Sequence, residues 1–155
     1  MKLSKKSEYA IRALVCLTAP EAPVMLSIQE IARREGIPKK FLEQVLLALN
    51  KAGLVQSIRG KAGGYVLRGM PATVTLGDIV RAVDGPVAPL PCANLESPVK
   101  CADCTSVEQC WLRPVMIDVG VAVNAALEQV TLADMTRRAV LSRRSRNVQA
   151  PMYEI

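Results

Sequence analysis

Four of the chain's five cysteines fall in one stretch, CANLESPVKCADCTSVEQC, from Cys92 to Cys110. Their spacing is C-x8-C-x2-C-x5-C. Thiols this close can close a disulfide clasp, complete a zinc shell, ligate an iron–sulfur cluster, or run thiol–disulfide exchange. The chain has no histidine, so every soft ligand must be a thiolate and a hard ligand can come only from Asp or Glu. All-sulfur zinc sites usually show two CxxC pairs, and here there is one, Cys101 with Cys104. Cluster ligation tolerates irregular loop spacing better. A redox CxxC normally opens a helix after a strand, where the macrodipole lowers a thiol pKa. Cys101-Ala102-Asp103-Cys104 lacks that setting, and Asp103 would raise the pKa. The remaining cysteine, Cys16, lies in an apolar helical stretch and reads as a core residue.

Composition limits what can position these thiols. Half of the 155 residues are hydrophobic but only 3% are aromatic, so a core must be built from Leu, Ile, Val and Ala. That favours packed helices over aromatic-rich sheets. The net charge of +6 points to a polyanionic partner. The first residues, MKLSKKSEYAIRALVCL, carry Glu8 and Arg12 within the apolar part and do not read as a signal peptide. No apolar run is long enough for a membrane span. A cytoplasmic location is expected, where clustered thiols bind metal or do redox chemistry more often than they form structural disulfides.

The elements follow from periodicity and caps. A first helix is predicted over about Ser4 to Thr18, with Ile11, Leu14, Val15 and Thr18 on one face. Ser27-Ile28-Gln29-Glu30 is a capping box, flanked by Leu26 and Ile31 as a hydrophobic staple, and Gly36 ends that short helix. Pro38 fits the first turn of a third helix with Leu42, Val45, Leu46 and Leu49 inside and Lys39, Lys40, Glu43, Gln44 and Lys51 outside. The pair is a helix-turn-helix candidate. Leu54–Arg59 and Tyr65–Arg68 read as strands around the turn Gly60-Lys61-Ala62-Gly63-Gly64, whose glycines tolerate positive φ. A basic hairpin after a recognition helix makes a winged helix-turn-helix, with Arg59 and Lys61 placed to reach phosphates or a minor groove.

Thr75 caps a fourth helix that Gly85 and Pro86 stop. The cysteine loop then runs to a long helix opened by Pro114 and reaching about Val130. Leu112, Val115, Met116, Val119, Val123, Ala126, Leu127 and Val130 mark its broad apolar stripe, with Ile117 and Val121 on the other side. A helix apolar nearly all round must be covered on several faces. We read it as a dimerisation helix, in which Gly120, Ala122, Ala125 and Ala126 permit close approach. Thr131 caps one more, short helix, and a mobile tail with five arginines is expected over 137–155. The expected fold is mainly α with a small β-hairpin wing: a winged helix-turn-helix head (1–70), a connecting helix (71–86), a cysteine-rich loop (87–111), the dimerisation and terminal helices (112–136) and the tail.

Four stretches in order carry a specific resemblance: MKLSKKSEYAIRALVCL, LSIQEIARREGIPKKFLEQVLLALNKAGLVQSIRGKAGGYVL, VTLGDIVRAVDGP, and a cysteine loop ending CWLRPVM. Over roughly residues 1 to 135 the chain resembles the iron–sulfur winged-helix regulators, the family of IscR, NsrR and RirA. The resemblance implies a homodimer on a double-stranded DNA operator, with repression or activation controlled by a [2Fe–2S] or [4Fe–4S] cluster. It implies no enzymatic activity, no small-molecule substrate and no membrane partner. Carried over by position, Glu43 and Gln44 would read base edges and Arg59 would enter the minor groove. Lys39 and Lys40 stand where other members often have small hydroxyl residues. The family usually has three cysteines plus a variable fourth ligand. Here a fourth cysteine is present, so the expected shell is Cys92, Cys101, Cys104 and Cys110, with Glu8 an alternative acid ligand from the same or the partner subunit. Structural zinc or a thiol switch in the same loop, and a thiol–disulfide enzyme, are the competing readings.

Overall fold

Helix α1 (Lys5–Thr18) forms the centre of the core. Its side chains Ala10, Ala13 and Leu14 are fully buried, and the helices of the head pack around it. The computed structural model describes residues 3–60, 62–102, 104 and 106–148, with side chains through residue 145. Ser4 caps α1 by accepting the Ser7 amide at 3.0 Å.

The helix-turn-helix forms as its sequence requires. In α2 (Ile28–Glu35) the Ser27 hydroxyl accepts from the Glu30 amide while the Glu30 carboxylate accepts from the Ser27 amide. The staple residues Leu26 and Ile31 are both fully buried. Gly36 takes the left-handed conformation (φ 61°) that turns the chain. Helix α3 (Lys39–Lys51) buries Leu42, Val45, Leu46 and Leu49. Pro38 stands just before the helix, at its cap, because it is extended at ψ 128°.

Strands β1 (Val55–Ile58) and β2 (Gly64–Leu67) pair antiparallel, from Val55 opposite Leu67 to Ile58 opposite Gly64. β1 is one residue shorter at each end than expected, and β2 keeps the expected length but starts one residue earlier, where the ladder with β1 is in register. Leu26 adds a bridge to Tyr65, with Tyr65 N–H donating to the Leu26 carbonyl at 2.8 Å and the reverse bond at 3.2 Å. The wing is thereby hydrogen-bonded to the entrance of α2. Close approach, rather than positive φ, explains the paired glycines at its turn. A Cβ on Gly63 would lie 2.5 Å from the Ile58 carbonyl oxygen, and one on Gly64 2.6 Å from that of Leu26.

Helix α4 (Leu76–Asp84) starts from a second reciprocal cap, Thr75 with Asp78. The next segment passes through a single 3-10 turn, Pro91–Ala93, before helix α5 (Leu112–Glu128). Helix α5 begins earlier than Pro114, which sits inside the first turn where a missing N–H costs no helical bond. At the far end, Leu76 N–H donates to the Val130 carbonyl and Leu132 N–H to the Val74 carbonyl, each at 2.8 Å. These bonds fasten the α5–α6 corner to the start of α4.

Helix α6 corrects an expectation. It is not short: it runs from Leu132 to Val148, into the segment read as a tail. Leu132, Met135, Thr136 and Ala139 face the core, and the Thr18 and Thr136 hydroxyls meet at 2.6 Å. An arginine-rich outer face hid this periodicity, although Arg is a good helix former. The positions after 148 lie outside the described residues.

Candidate DNA interface and cysteine loop

The outer face of α3 presents Lys39, Lys40, Glu43 and Gln44, all exposed. Their spacing follows from the buried stripe: when Leu42, Val45, Leu46 and Leu49 point inward, these residues must point out. Among the described residues none of the four is held in an ion pair, so their polar groups are open to a ligand. Arg59 is exposed where β1 ends. Lys61 lies outside the described residues.

Two aromatic residues that sequence reasoning did not single out support this face. Phe41, 47% exposed, meets Tyr9 edge to face, with ring centroids 6.1 Å apart. The Tyr9 ring in turn lies under Lys5 and Arg12, at 5.9 and 6.0 Å from its centroid. The signal available was a single Phe at a position that the helical stripe puts outside. Glu8 is engaged on the same helix, 2.7 Å from Lys5 and 3.6 Å from Arg12. The Lys5 hydrogen bond holds its carboxyl below the usual range.

The cysteine loop is folded back on α5. Arg113 Nε donates to the Cys92 carbonyl at 2.9 Å, and Asn124 Nδ2 to the Val87 carbonyl at 3.0 Å. Between them Pro89 crosses Gly120 so closely that a Cβ there would lie 3.2 Å from the proline ring. Loop and helix therefore run side by side in opposite directions. The end of α4 is tied to α1: Asp84 accepts from the Ser4 hydroxyl at 2.7 Å and from the buried Ser7 hydroxyl at 2.6 Å. Arg81 joins Asp78 at 2.9 Å and also bonds Glu128 at the far end of α5.

Within the loop, Cys92 is buried while Cys101, Cys104 and Cys110 are partly exposed, and all are free thiols. Cys92 and Cys101 bring their sulfurs to 3.5 Å. That contact, together with burial, pushes the Cys92 thiol up. Cys104 Sγ contacts the Ser106 carbonyl at 3.1 Å instead. Among the described residues no three Cys, Asp or Glu side chains are gathered to hold a metal ion. The donor set nonetheless suits a soft metal or cluster. Two thiolates on one tetrahedral centre with metal–sulfur bonds near 2.3 Å stand about 3.8 Å apart, close to the Cys92–Cys101 separation. Cys101 and Cys104 begin no helix after a strand, as an exchange-active CxxC would. Cys16 is buried in the core as expected, and burial raises its pKa.

A hairpin packed behind an exposed recognition helix defines a winged helix-turn-helix DNA-binding transcription regulator. The comparisons with known proteins agree, and the relatives they find are transcriptional regulators: residues 3–138 match the family model described as Rrf2, iron-dependent transcriptional regulator. The chain belongs to the Rrf2 family. It is 42% identical over 136 residues to an rrf2-like HTH-type transcriptional regulator of Rhodobacter capsulatus, covering 86% of this chain and 91% of that protein. Among solved structures, CymR, the global cysteine regulator of Bacillus subtilis, superimposes with a TM-score of 0.66 at 32% identity, covering 89% of this chain and 98% of CymR. The IscR of T. potens does so with 0.62 at 34% identity, covering 90% and 88%. No described helix is long and apolar enough to cross a membrane.

Proposed function

We propose that this protein is a homodimeric operator-binding regulator, acting as a repressor in the cytoplasm, whose DNA affinity is set by an iron–sulfur cluster on the cysteine loop. The observation that carries this reading is the attachment of that loop to α5. The Cys92 backbone is bonded to Arg113 in the first turn of a helix whose apolar face is uncovered. A change at the thiols is thus transmitted to the helix that would join two subunits. Cys92, Cys101, Cys104 and Cys110 would hold the cluster, and the family's iron-dependent description supports that use of them. When bound, such a cluster supplies a redox- and ligand-sensitive centre.

The chain's own residues do the rest. Lys39 and Lys40 at the start of α3 neutralise phosphates, and Glu43 and Gln44 present an acceptor and a donor–acceptor pair to base edges. Arg59 and Lys61 on the wing contact backbone or minor groove. Arg113 and Asn124 hold the loop against α5. Two equivalent heads then read two half-sites about one helical turn apart. A shift of the loop alters head spacing and so the population competent to bind.

A second reading rests on the Cys92–Cys101 contact and on the likeness to a cysteine regulator. In it the loop is a thiol switch or holds structural zinc. Anaerobic purification with iron, sulfide and zinc analysis decides between them. The cluster reading expects coloured protein with about two or four irons and sulfides per chain, and operator affinity that changes on cluster removal. Colourless protein with stoichiometric zinc, or thiols that respond reversibly to oxidant without iron, establishes the alternative. Glu8→Ala is expected to keep the full absorption spectrum, since four thiolates are available. Loss of the spectrum makes Glu8 a ligand.

A further inference from the structure

The last residue of α2 is an acid in an unfavourable place. Glu35 lies at the C-terminal end of the helix dipole, where a carboxylate is destabilised, and its side chain is only 10% exposed. It is held there by guanidinium groups from elements far apart in sequence. Arg12 of α1 reaches one carboxylate oxygen at 3.4 Å and also donates to the Glu35 carbonyl, an orphan acceptor of the helix end. Arg143 of α6 reaches the other oxygen at 3.0 Å and extends to Glu21, 3.5 Å away, in the segment between α1 and α2. The three arginines Arg12, Arg34 and Arg143, with Glu21 and Glu35, rim a single polar cleft.

The position of this contact gives it leverage. Glu35 directly precedes the left-handed Gly36, so it borders the turn that aims the recognition helix. Arg143 belongs to the helix that continues from α5. The α5–α6 corner is pinned near Thr131 by the bonds to Val74 and Leu76. Arg143 lies eleven residues further along α6 than Leu132, about 16 Å at the helical rise. Met135, Thr136 and Ala139 hold the first turns of α6 against the core, and the Glu35 contact adds an anchor one turn beyond Ala139, where leverage on the angle of the helix is larger. A 10° swing about the corner would move the far anchor by about 3 Å, close to the rise of one base pair, 3.4 Å.

We propose that the Glu35–Arg143 contact is a positioning clamp that fixes the angle between the α5–α6 arm and the reading head, and thereby makes the dimer selective for the spacing of its half-sites. This inference rests on the two-headed homodimer proposed above. Neither residue reads a base. Their effect is carried by the orientation of α3 relative to α5. Arg143 is the more telling partner, because it alone joins Glu35 to the arm, while Arg12 joins it to the head's own α1.

The test uses full-length protein and a duplex with two half-sites selected from random DNA by the wild type. Affinities are measured on that duplex and on versions lengthened or shortened by one base pair between half-sites. One base pair rotates a half-site by about 34°. Wild type is expected to lose about tenfold or more on either altered duplex. Arg143→Ala is expected to bind the selected duplex about fivefold more weakly and to discriminate spacing by less than about threefold, with Arg143→Lys restoring most of the preference. Glu35→Gln, which keeps size and packing, is expected to lose discrimination too, and it carries the test if Arg143→Ala fails to fold. A folded Arg143→Ala or Glu35→Gln protein that keeps the wild-type spacing preference overturns the clamp alone. A wild type indifferent to spacing overturns the two-headed reading and the clamp with it.

Discussion

Helices α3 and α5 are both rich in apolar residues, yet they bury them very differently. In α3, Leu42, Leu46 and Leu49 are fully buried and Val45 nearly so. In α5, Val115, Val119 and Val121 are 47%, 42% and 57% exposed, Ala122, Ala125 and Ala126 lie open beside them, and Gly120 alone is buried. The first helix buries its Leu/Val stripe completely within one chain and leaves Phe41 and Leu47, 47% and 54% exposed, outside it. The second is apolar over much of its circumference, and among the described residues α4 and the 3-10 turn of the cysteine loop are the elements that pack most against it. An exposed apolar strip of small and β-branched residues is the kind of surface that proteins use for association. Helix α3 thus keeps its stripe inside the chain's own core, whereas α5 keeps an apolar face open.

That contrast can be broken at its strong end. Leu46→Ala removes a fully buried side chain from the head and should cost about 3 kcal/mol in chemical denaturation. Val119→Ala, measured at concentrations where subunits are separated, should cost less than about 0.5 kcal/mol. Equal losses would mean that the two helices are not different in kind. At the weak end, Val115→Glu combined with Val119→Glu should leave a folded monomer by sedimentation and lower operator affinity about 100-fold, because the second head no longer binds as part of the same molecule. A protein that remains dimeric would move the interface off α5.

The smallest effect lies where the units join. The Arg81 hydrogen bond, helped by the Thr75 hydroxyl, holds the Glu128 carboxyl below its ordinary range. A depressed carboxylate adds stability that is present above its unfolded pKa and lost as pH falls through the folded value. Glu128→Gln should therefore lower the stability of the neutral protein slightly, by at most about 0.5 kcal/mol given the exposure of the pair, and the difference should fade as the carboxylate is protonated in acid. A gap that widens on acidification would reverse the assigned sign.

Much of the head was legible because its signals are local. Ser27 with Glu30 and Thr75 with Asp78 announce helix starts through bonds three residues apart, and the α3 stripe repeats at helical spacing. The exposure of Lys39, Lys40, Glu43 and Gln44 follows from that stripe with no further information. The cysteine loop was legible only as a cluster of ligands. That it lies along α5, with Pro89 over Gly120 and Asn124 under Val87, depends on residues more than 30 positions apart. Helix α6 escaped for another reason. Its inward residues, among them Ala139 and Thr136, carry too little hydrophobicity to stand out against its arginines.

By itself, then, the sequence determined most of the elements up to α5, which face of α3 points outward, and that the thiols collect between α4 and α5, since caps, turns and periodic stripes act within a few residues of chain. The tertiary structure decided what those elements do to one another. Asp84 meets Ser7, Glu128 meets Arg81, and Glu35 meets Arg143, because the packing of α1 against α4 and α6, and of α4 against α5, brings them together. Long-range contacts of this kind leave no periodic trace. Polar groups meet wherever the buried faces place them, and only the folded core specifies that.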